Sequence, residues 1–177
     1  MHTITIRDAL VSDAAALAAL YSVYVLHSTS TFELDAVGAD EMARRVAAVQ
    51  DAGLPWLVAE AEADGALLGY AHASPWKPRA AYASTVETSI YLAGDACGHG
   101  LGRRLYAALL ERLRDNGLHT AIGGVTLPNP ASVRLHEGFG FQAVGRLREV
   151  GRKFGEWVDV GYWQLHLDAA RVMPAGA

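Results

Sequence analysis

Apolar residues recur along the chain in two spacings, which predict where its strands and helices lie. Residues 3–7 alternate as a strand does, whereas Leu17, Leu20, Tyr21 and Tyr24 are spaced three or four apart, as on one face of a helix. Together the spacings predict the order β-α-α-β-β-β-α-β-α-β-β. The predicted strands cover residues 3–7, 56–61, 66–73, 85–92, 120–127, 141–150 and 158–167, and the predicted helices cover 12–27, 39–51, a segment ending near 115, and 130–137.

Capping and turn residues mark the ends of these elements. Ser12 is predicted to cap the first helix, and Asp64-Gly65 predicts a tight hairpin between two strands. Strands and helices are mixed without a repeat or a linker, so we expect one α+β domain around a single sheet over residues 1–167. Residues 168–177 look like a loose C-terminal tail.

Composition and charge narrow the class of protein. The chain has 177 residues, of which 51% are hydrophobic and 19% charged, as in a globular protein. Its net charge of −4 argues against broad nucleic-acid binding, and its one cysteine, Cys97, fits a reducing compartment. No signal-peptide pattern or membrane-length apolar run is evident. We therefore expect a cytoplasmic protein that binds neither nucleic acid nor membranes.

The segment most informative about function is a glycine-rich turn from Cys97 to Gly102, between a strand and a periodic helix. Glycines let backbone N–H groups approach a ligand closely, and a helix N-terminus adds partial positive charge. The turn therefore predicts a phosphate or pyrophosphate site. It is not a P-loop, because Arg103-Arg104 follow Gly102, and it lacks the third glycine of the dinucleotide-binding fingerprint.

This turn, placed after the fourth strand, resembles that of the GCN5-related N-acetyltransferase superfamily, and the match covers nearly all of residues 3–167. The resemblance implies a single mixed, mostly antiparallel twisted sheet flanked by helices. The superfamily pattern of Arg or Gln, two residues, Gly, any residue, then Gly or Ala falls on Cys97, Gly100 and Gly102. Cys97 departs from that pattern, so only backbone contacts are expected there.

A second motif, from Asn129 to Phe141, looks like the superfamily's Asn…Leu-Tyr-Glu…Gly-Phe element, with His136 where most members have Tyr. In the superfamily the glycine turn holds the pyrophosphate of acetyl-CoA, so the resemblance implies acetyl-CoA as cosubstrate. It also implies acetyl-CoA contacts at Ile90, Tyr91, Leu92, Gly98, His99, Gly100, Leu101, Gly102, Arg103, Asn129 and Ser132.

Segments spread along the chain are similar to the phosphinothricin acetyltransferase family. That family acetylates the free amine of compact glutamate-like amino acids, including phosphinothricin and methionine sulfoximine or sulfone, and it usually forms homodimers. The resemblance implies an N-acetyltransferase with a small amino-acid-like substrate. It is carried by residues 30–33, 76–82, 86–91, 127–129 and 155–164.

Transfer of an acetyl group to an amine requires a base, because the substrate ammonium must lose a proton before it attacks. Glu87 is the first candidate: on a strand it shares a face with Ser89 and Tyr91, opposite a mostly apolar face. Partial burial would raise its pKa towards useful basicity. The alternative is a solvated strand glutamate.

His136 is the second catalytic candidate, on one helical face with Asn129 and Ser132. Its imidazole could relay the amine proton or protonate the leaving thiolate, and it could share a proton path with Glu87. The alternative is a histidine that binds local carbonyl groups. The residues alone do not divide the acid and base roles between the two.

Lys77 and Arg79 lie on a proline-braced loop and are the candidate receptors for a substrate carboxylate or phosphinate. An ordinary solvated loop is the alternative. Glu33 could attract the substrate ammonium or pair with Arg79. The pocket walls are predicted to be Phe32, Tyr82 and Tyr91.

Two other functions remain open. The amine could belong to an aminoglycoside, a polyamine or a protein N-terminus, although Lys77 and Arg79 argue against a polycation. The chain could also be a non-catalytic acyl-CoA-binding sensor, although Glu87 and His136 argue against that. The remaining histidines show no metal-ligand spacing, so we expect no metal site.

Overall fold

A computed structural model of the protein describes residues 3–167. The order of its elements is the predicted order. The strands are β1 (Ile4–Asp8), β2 (Trp56–Ala61), β3 (Leu67–Pro75), β4 (Thr85–Leu92), β5 (Thr120–Leu127), β6 (Gln142–Lys153) and β7 (Glu156–His166), and the helices are α1 (Ala14–His27), α2 (Ala39–Asp51), α3 (Leu101–Asp115) and α4 (Pro130–Glu137).

All seven strands form one sheet in the order β1-β2-β3-β4-β5-β7-β6. Every neighbouring pair is antiparallel except β4 and β5, which run parallel. The mixed, mostly antiparallel sheet is therefore confirmed. Pairing between β4 and β5 ends at Thr88 and Gly123, although both strands continue for four further residues. This end of the sheet is consequently open between its two central strands.

Helices cover both faces of the sheet, and each face has its own core. On one face, α1 and α2 bury Leu17, Val46 and Trp56 with other apolar side chains. On the other face, α3 buries Leu105 and Leu109 against the strands. Alternate residues of β4 therefore face different cores, which directs Glu87 towards the side of α1 and α2.

The prediction that Ser12 caps the first helix is wrong. A 3₁₀ turn over Val11–Asp13 precedes α1, and Asp13 occupies the N-cap position. Its carboxylate makes no cap hydrogen bond to the helix; it accepts hydrogen bonds from Arg7, at 2.7 Å, and from the Leu10 N–H, at 2.8 Å. The Asp13 carboxylate therefore pairs with the positive charge of Arg7 and does not cap the helix.

The last two strands extend further towards their connecting turn than predicted, and that turn is a tight one over Phe154-Gly155. Strand β6 lies at the edge of the sheet and is exposed along most of its length, so it lacks a clear apolar alternation. Its register also shifts between Leu147 and Gly151, where Glu149 has a φ of 50°. The predicted tail at 168–177 lies outside the described residues.

Candidate active site

A cleft of about 460 Å³ opens where β4 and β5 separate. Its other walls come from the N-terminus of α3 and from α4. Of the residues predicted to contact acetyl-CoA, Leu101 is buried in the core and His99 is exposed beside the cleft wall. The others line the cleft together with His136: Ile90, Tyr91, Leu92, Gly98, Gly100, Gly102, Arg103, Asn129 and Ser132.

The glycine turn presents free backbone donors to this cleft. Gly98 and Gly100 have φ angles of 83° and 80°, a conformation that favours glycine. The N–H groups of Leu101, Gly102 and Arg103 find no acceptor within residues 3–167, because they occupy the first turn of α3. Such a row of donors at a helix N-terminus suits a phosphate group.

Helix α4 forms the facing wall, and its start is fixed by its own sequence. The Asn129 side chain accepts a hydrogen bond from the Ser132 N–H at 3.1 Å, and Pro130 occupies the first helical turn. The predicted shared face of Asn129, Ser132 and His136 is confirmed, since all three line the cleft.

His136 is buried, with 3% of its surface exposed. Its Nδ1 lies 2.8 Å from the Ser132 carbonyl oxygen, which can only accept, so Nδ1 carries the proton. Its Nε2 then carries the lone pair and finds no partner among the described residues. Burial lowers the pKa of His136, which favours the neutral imidazole. Tyr106 and Phe141 pack edge-on against the ring.

Glu87 and His136 approach the sheet from opposite faces. A methyl group on Gly123 would lie 2.3 Å from His136 Nε2, and one on Gly124 would lie 2.9 Å from Glu87 Oε1. Successive residues of a strand point to opposite faces, so the β5 backbone separates the two candidates. The structure does not bring them together on a common proton path.

The Glu87 side chain is half-buried and forms no hydrogen bond with residues in the described part of the chain. Burial raises its pKa, and the nearby Lys77 ammonium partly opposes that rise. Tyr162 lies on the same side, and its pKa is raised by burial and by the Glu87 charge. Trp76 contacts the Tyr162 ring edge-on at 5.7 Å. Glu87 is thus a carboxylate with proton-accepting capacity near the cleft.

The predicted substrate residues are spread more widely. Lys77 and Arg79 are exposed on the loop between β3 and β4, and Lys77 Nζ lies 4.7 Å from the centre of the Trp76 ring. Phe32 packs over the backbone of Gly151. Tyr82 is 40% exposed and, like Phe32, Lys77 and Arg79, does not line the cleft, whereas Tyr91 does.

Glu33 pairs with a residue that the sequence did not suggest. Its carboxylate accepts a hydrogen bond from Arg45 at 2.6 Å and another from the Tyr21 hydroxyl at 3.0 Å. Arg79 is not its partner. The carboxylate is already neutralised, which leaves little charge to attract a substrate ammonium.

Tyr24 and Lys153 make contacts that were not predicted from the sequence, although Lys153 does not line the cleft. Tyr24 lines the cleft, and its hydroxyl donates to the Leu92 carbonyl at 2.6 Å and accepts from the Leu92 N–H at 3.2 Å. Lys153, 2% exposed, donates to the Thr31 carbonyl at 2.7 Å. Both contacts join distant segments, so no local pattern could reveal them.

The fold and the cleft identify the class of protein. Residues 6–161 match the acetyltransferase (GNAT) domain family, and the chain belongs to that family of N-acetyltransferases. It is 43% identical to a phosphinothricin N-acetyltransferase of Alcaligenes faecalis over 166 residues, which cover 93% of this chain and 83% of that one. It is 39% identical to an L-methionine sulfoximine/L-methionine sulfone acetyltransferase of Pseudomonas paraeruginosa over 173 residues, covering 96% and 98%.

A solved structure supports the same conclusion. The phosphinothricin acetyltransferase of Sinorhizobium meliloti, a GNAT-superfamily protein in complex with acetyl-CoA, superimposes with a TM-score of 0.90 at 35% identity. The match covers 98% of this chain and 95% of that one. The superfamily and the closer family predicted from the sequence are therefore confirmed.

Residues 3–167 contain no group of three or more His, Cys, Asp or Glu side chains placed to hold a metal ion. Within the same range, no helix combines the length and the apolar character needed to cross a bilayer.

Proposed function

We propose that this protein transfers the acetyl group of acetyl-CoA to the free amine of a small glutamate-like amino acid. The substrate is of the phosphinothricin, methionine sulfoximine or methionine sulfone type. The observation that carries the proposal is the cleft between β4 and β5, with free N–H groups at one end and the Glu87 carboxylate beside it. We also propose a cytoplasmic location, because a single cysteine agrees with a reducing compartment.

The residues of the cleft fit acetyl-CoA. The turn from Gly98 to Arg103 would hold the pyrophosphate on its backbone N–H groups, and Ile90 to Leu92 and α4 would line the path towards the thioester. Cys97 is exposed and its thiol points to the Ala93 carbonyl, at 3.5 Å, so the backbone would make the contact here.

Glu87 is the proposed general base, acting directly or through a water molecule. Glu87 has a raised pKa, so its proton affinity is closer to that of an amine than the proton affinity of an ordinary glutamate is. His136 is the second proposed catalytic residue, with the Nε2 lone pair free. Because β5 separates the two, each would have to act on its own side of the cleft.

A thiol-release screen tests the function. Acetyl-CoA is incubated with the protein and with amino acids, their sulfone, sulfoximine and phosphinate analogues, aminoglycosides, polyamines and peptides, and free CoA is measured. We expect turnover with glutamate-like amino acids. Preferred turnover of another amine would change the substrate. Thermal stabilisation by acetyl-CoA without CoA release from any amine would indicate a non-catalytic sensor.

Replacing Lys77 or Arg79 with alanine tests the proposed carboxylate receptor. Loss of one charge-assisted contact costs about 1.5–3 kcal/mol, so kcat/KM for an acidic amino acid should fall roughly 10- to 150-fold. Acetyl-CoA affinity should change little. The exposed Arg114, replaced with alanine, is the matched control. An equal loss with an amine that has no carboxylate would show that the pair does not select acidic substrates.

A homodimer through the β6–β7 hairpin is also proposed. This hairpin forms an edge of the sheet and exposes large apolar side chains, including Leu147 at 47%, Phe154 at 59% and Trp157 at 59%. Trp157→Glu should weaken dimerisation about 30-fold or more, as expected for an aromatic hot spot. Light scattering across a dilution series measures this. Leu34→Glu, at a 65% exposed position, should leave the mass unchanged.

A further inference from the structure

A second cavity, of about 360 Å³, lies beside the cleft and between α2 and the sheet. Its walls combine aromatic and aliphatic side chains from α1, α2 and strands β2 to β4. Ser89 and Tyr91 line both this cavity and the cleft. The two spaces therefore adjoin at the face of β4 that also carries Glu87.

Two buried polar atoms in the cavity wall have no partner. Trp56 Nε1 and His72 Nδ1 form no hydrogen bond with any residue in the range 3–167, although only 3% of Trp56 is exposed. The two rings stack with centroids 4.2 Å apart and planes at 13°. An indole N–H can only donate, so this wall lacks a hydrogen-bond acceptor.

The cavity carries no net charge. Its two ionised wall residues, Glu33 and Arg45, neutralise each other at 2.6 Å. Burial lowers the pKa of His72 to about 4, so its ring is neutral near pH 7. A neutral acceptor would satisfy the Trp56 N–H without introducing an unpaired charge, whereas a carboxylate would be desolvated with no cation free to pair with it.

We infer that this cavity is the specificity pocket for the substrate's side chain, and that Trp56 and His72 select a neutral, acceptor-ended chain such as a sulfone. The inference rests on the proposed function. The amine would lie at Glu87 and the side chain would pass Ser89 into the cavity, because Ser89 is the next residue on that face of β4. Among the proposed substrate types, the neutral methionine sulfone should therefore be preferred over phosphinothricin, whose phosphinate is anionic, and over glutamate, which is similar in length but anionic.

Steady-state kinetics with paired substrates test the pocket. L-Methionine sulfone and L-norleucine have unbranched side chains of similar length, but only the sulfone offers acceptor oxygens. Trp56→Phe keeps the aromatic ring and removes the donor, so kcat/KM should fall roughly 3- to 10-fold for the sulfone and stay within twofold for norleucine. His72→Phe should act in the same direction. His27→Phe, at an exposed histidine of α1, is the matched control for His72→Phe.

An indole N–H spectrum of the wild-type protein gives a readout that does not require turnover. The chain has four tryptophans, and the Trp56 signal is assigned by its absence in Trp56→Phe. With CoA present, L-methionine sulfone should shift that signal, and L-norleucine should shift it less. Equal kinetic losses for both substrates, or a Trp56 signal that the sulfone leaves unmoved, would overturn the pocket. Absence of acetylation with a shifted Trp56 signal would instead refute the proposed function and leave the pocket standing.

Discussion

Replacing Glu87 with glutamine is expected to lower kcat/KM by about 10²–10⁴-fold, because glutamine keeps the shape of the side chain but cannot accept a proton. The rate is measured by CoA release at saturating acetyl-CoA, and a thermal melt verifies folding. Glu111→Gln, at an exposed position on α3, is the matched control and should change the rate less than about threefold. A near-wild-type rate for Glu87→Gln at every pH would leave Glu87 as a solvated strand residue.

The pH dependence of kcat/KM gives a second test of Glu87 as the general base. Burial raises the pKa of Glu87, and only the carboxylate is a base, so activity should fall as the pH drops through that raised pKa. Glu87→Gln should lose this acidic limb. The Lys77 ammonium lowers the pKa of Glu87, so Lys77→Ala should move the limb to higher pH. A limb that stays in place in Lys77→Ala would contradict the electrostatic coupling.

A double variant that combines Glu87→Gln with His136→Phe tests whether these two candidate catalytic residues act together. Their side chains contact opposite faces of β5, so we expect the two losses to multiply, as for independent positions. A double variant that loses much less than the product would indicate one shared proton path, as the sequence alone had suggested. The comparison uses kcat/KM for both single variants and the double variant.

The sequence predicts the bounds of the central helices and strands well, because particular residues mark where the helices begin and end. Helix α2 begins and ends at the predicted residues, since glycines flank it on both sides. Strand β5 and helix α4 also have the predicted bounds, because Pro130 and Asn129 mark the start of the helix. The C-terminal end of edge strand β6 was predicted three residues too early because its exposed charged residues hide the alternation.

In the candidate site, too, some features could be predicted from the sequence and others could not. Placement within one element follows from spacing: Asn129 and Ser132 were predicted to share a face of one helix, and the Asn129 side chain accepts a hydrogen bond from the Ser132 N–H. Contacts between distant segments were not predicted. Tyr24 donates a hydrogen bond to the backbone of Leu92, and Glu33 accepts one from Arg45. Such pairs depend on how helices pack on the sheet, and a residue pattern with a period of two or 3.6 contains no information about that packing.

Gly102 is the position where the proposed acetyl-CoA site is most sensitive to bulk. A methyl group there would already lie 3.2 Å from the Leu92 side chain, on the wall of the cleft. A branched side chain would extend further into the space that the pyrophosphate needs, and it would shield the N–H groups at the start of α3. The backbone at Gly102 is helical, so valine adds bulk without an unfavourable φ.

Gly102→Val is expected to weaken acetyl-CoA binding by roughly 10²–10⁴-fold, which corresponds to the loss of two charge-assisted hydrogen bonds of about 1.5–3 kcal/mol each. Titration calorimetry measures the Kd, and a thermal melt without ligand verifies that the variant folds. Gly145→Val on the exposed strand β6 is the matched control, because nothing lies within 4 Å of the added carbon there. If Gly102→Val bound acetyl-CoA as tightly as the wild type, the pyrophosphate could not lie on this turn, and the cleft would have to hold the cofactor in another orientation.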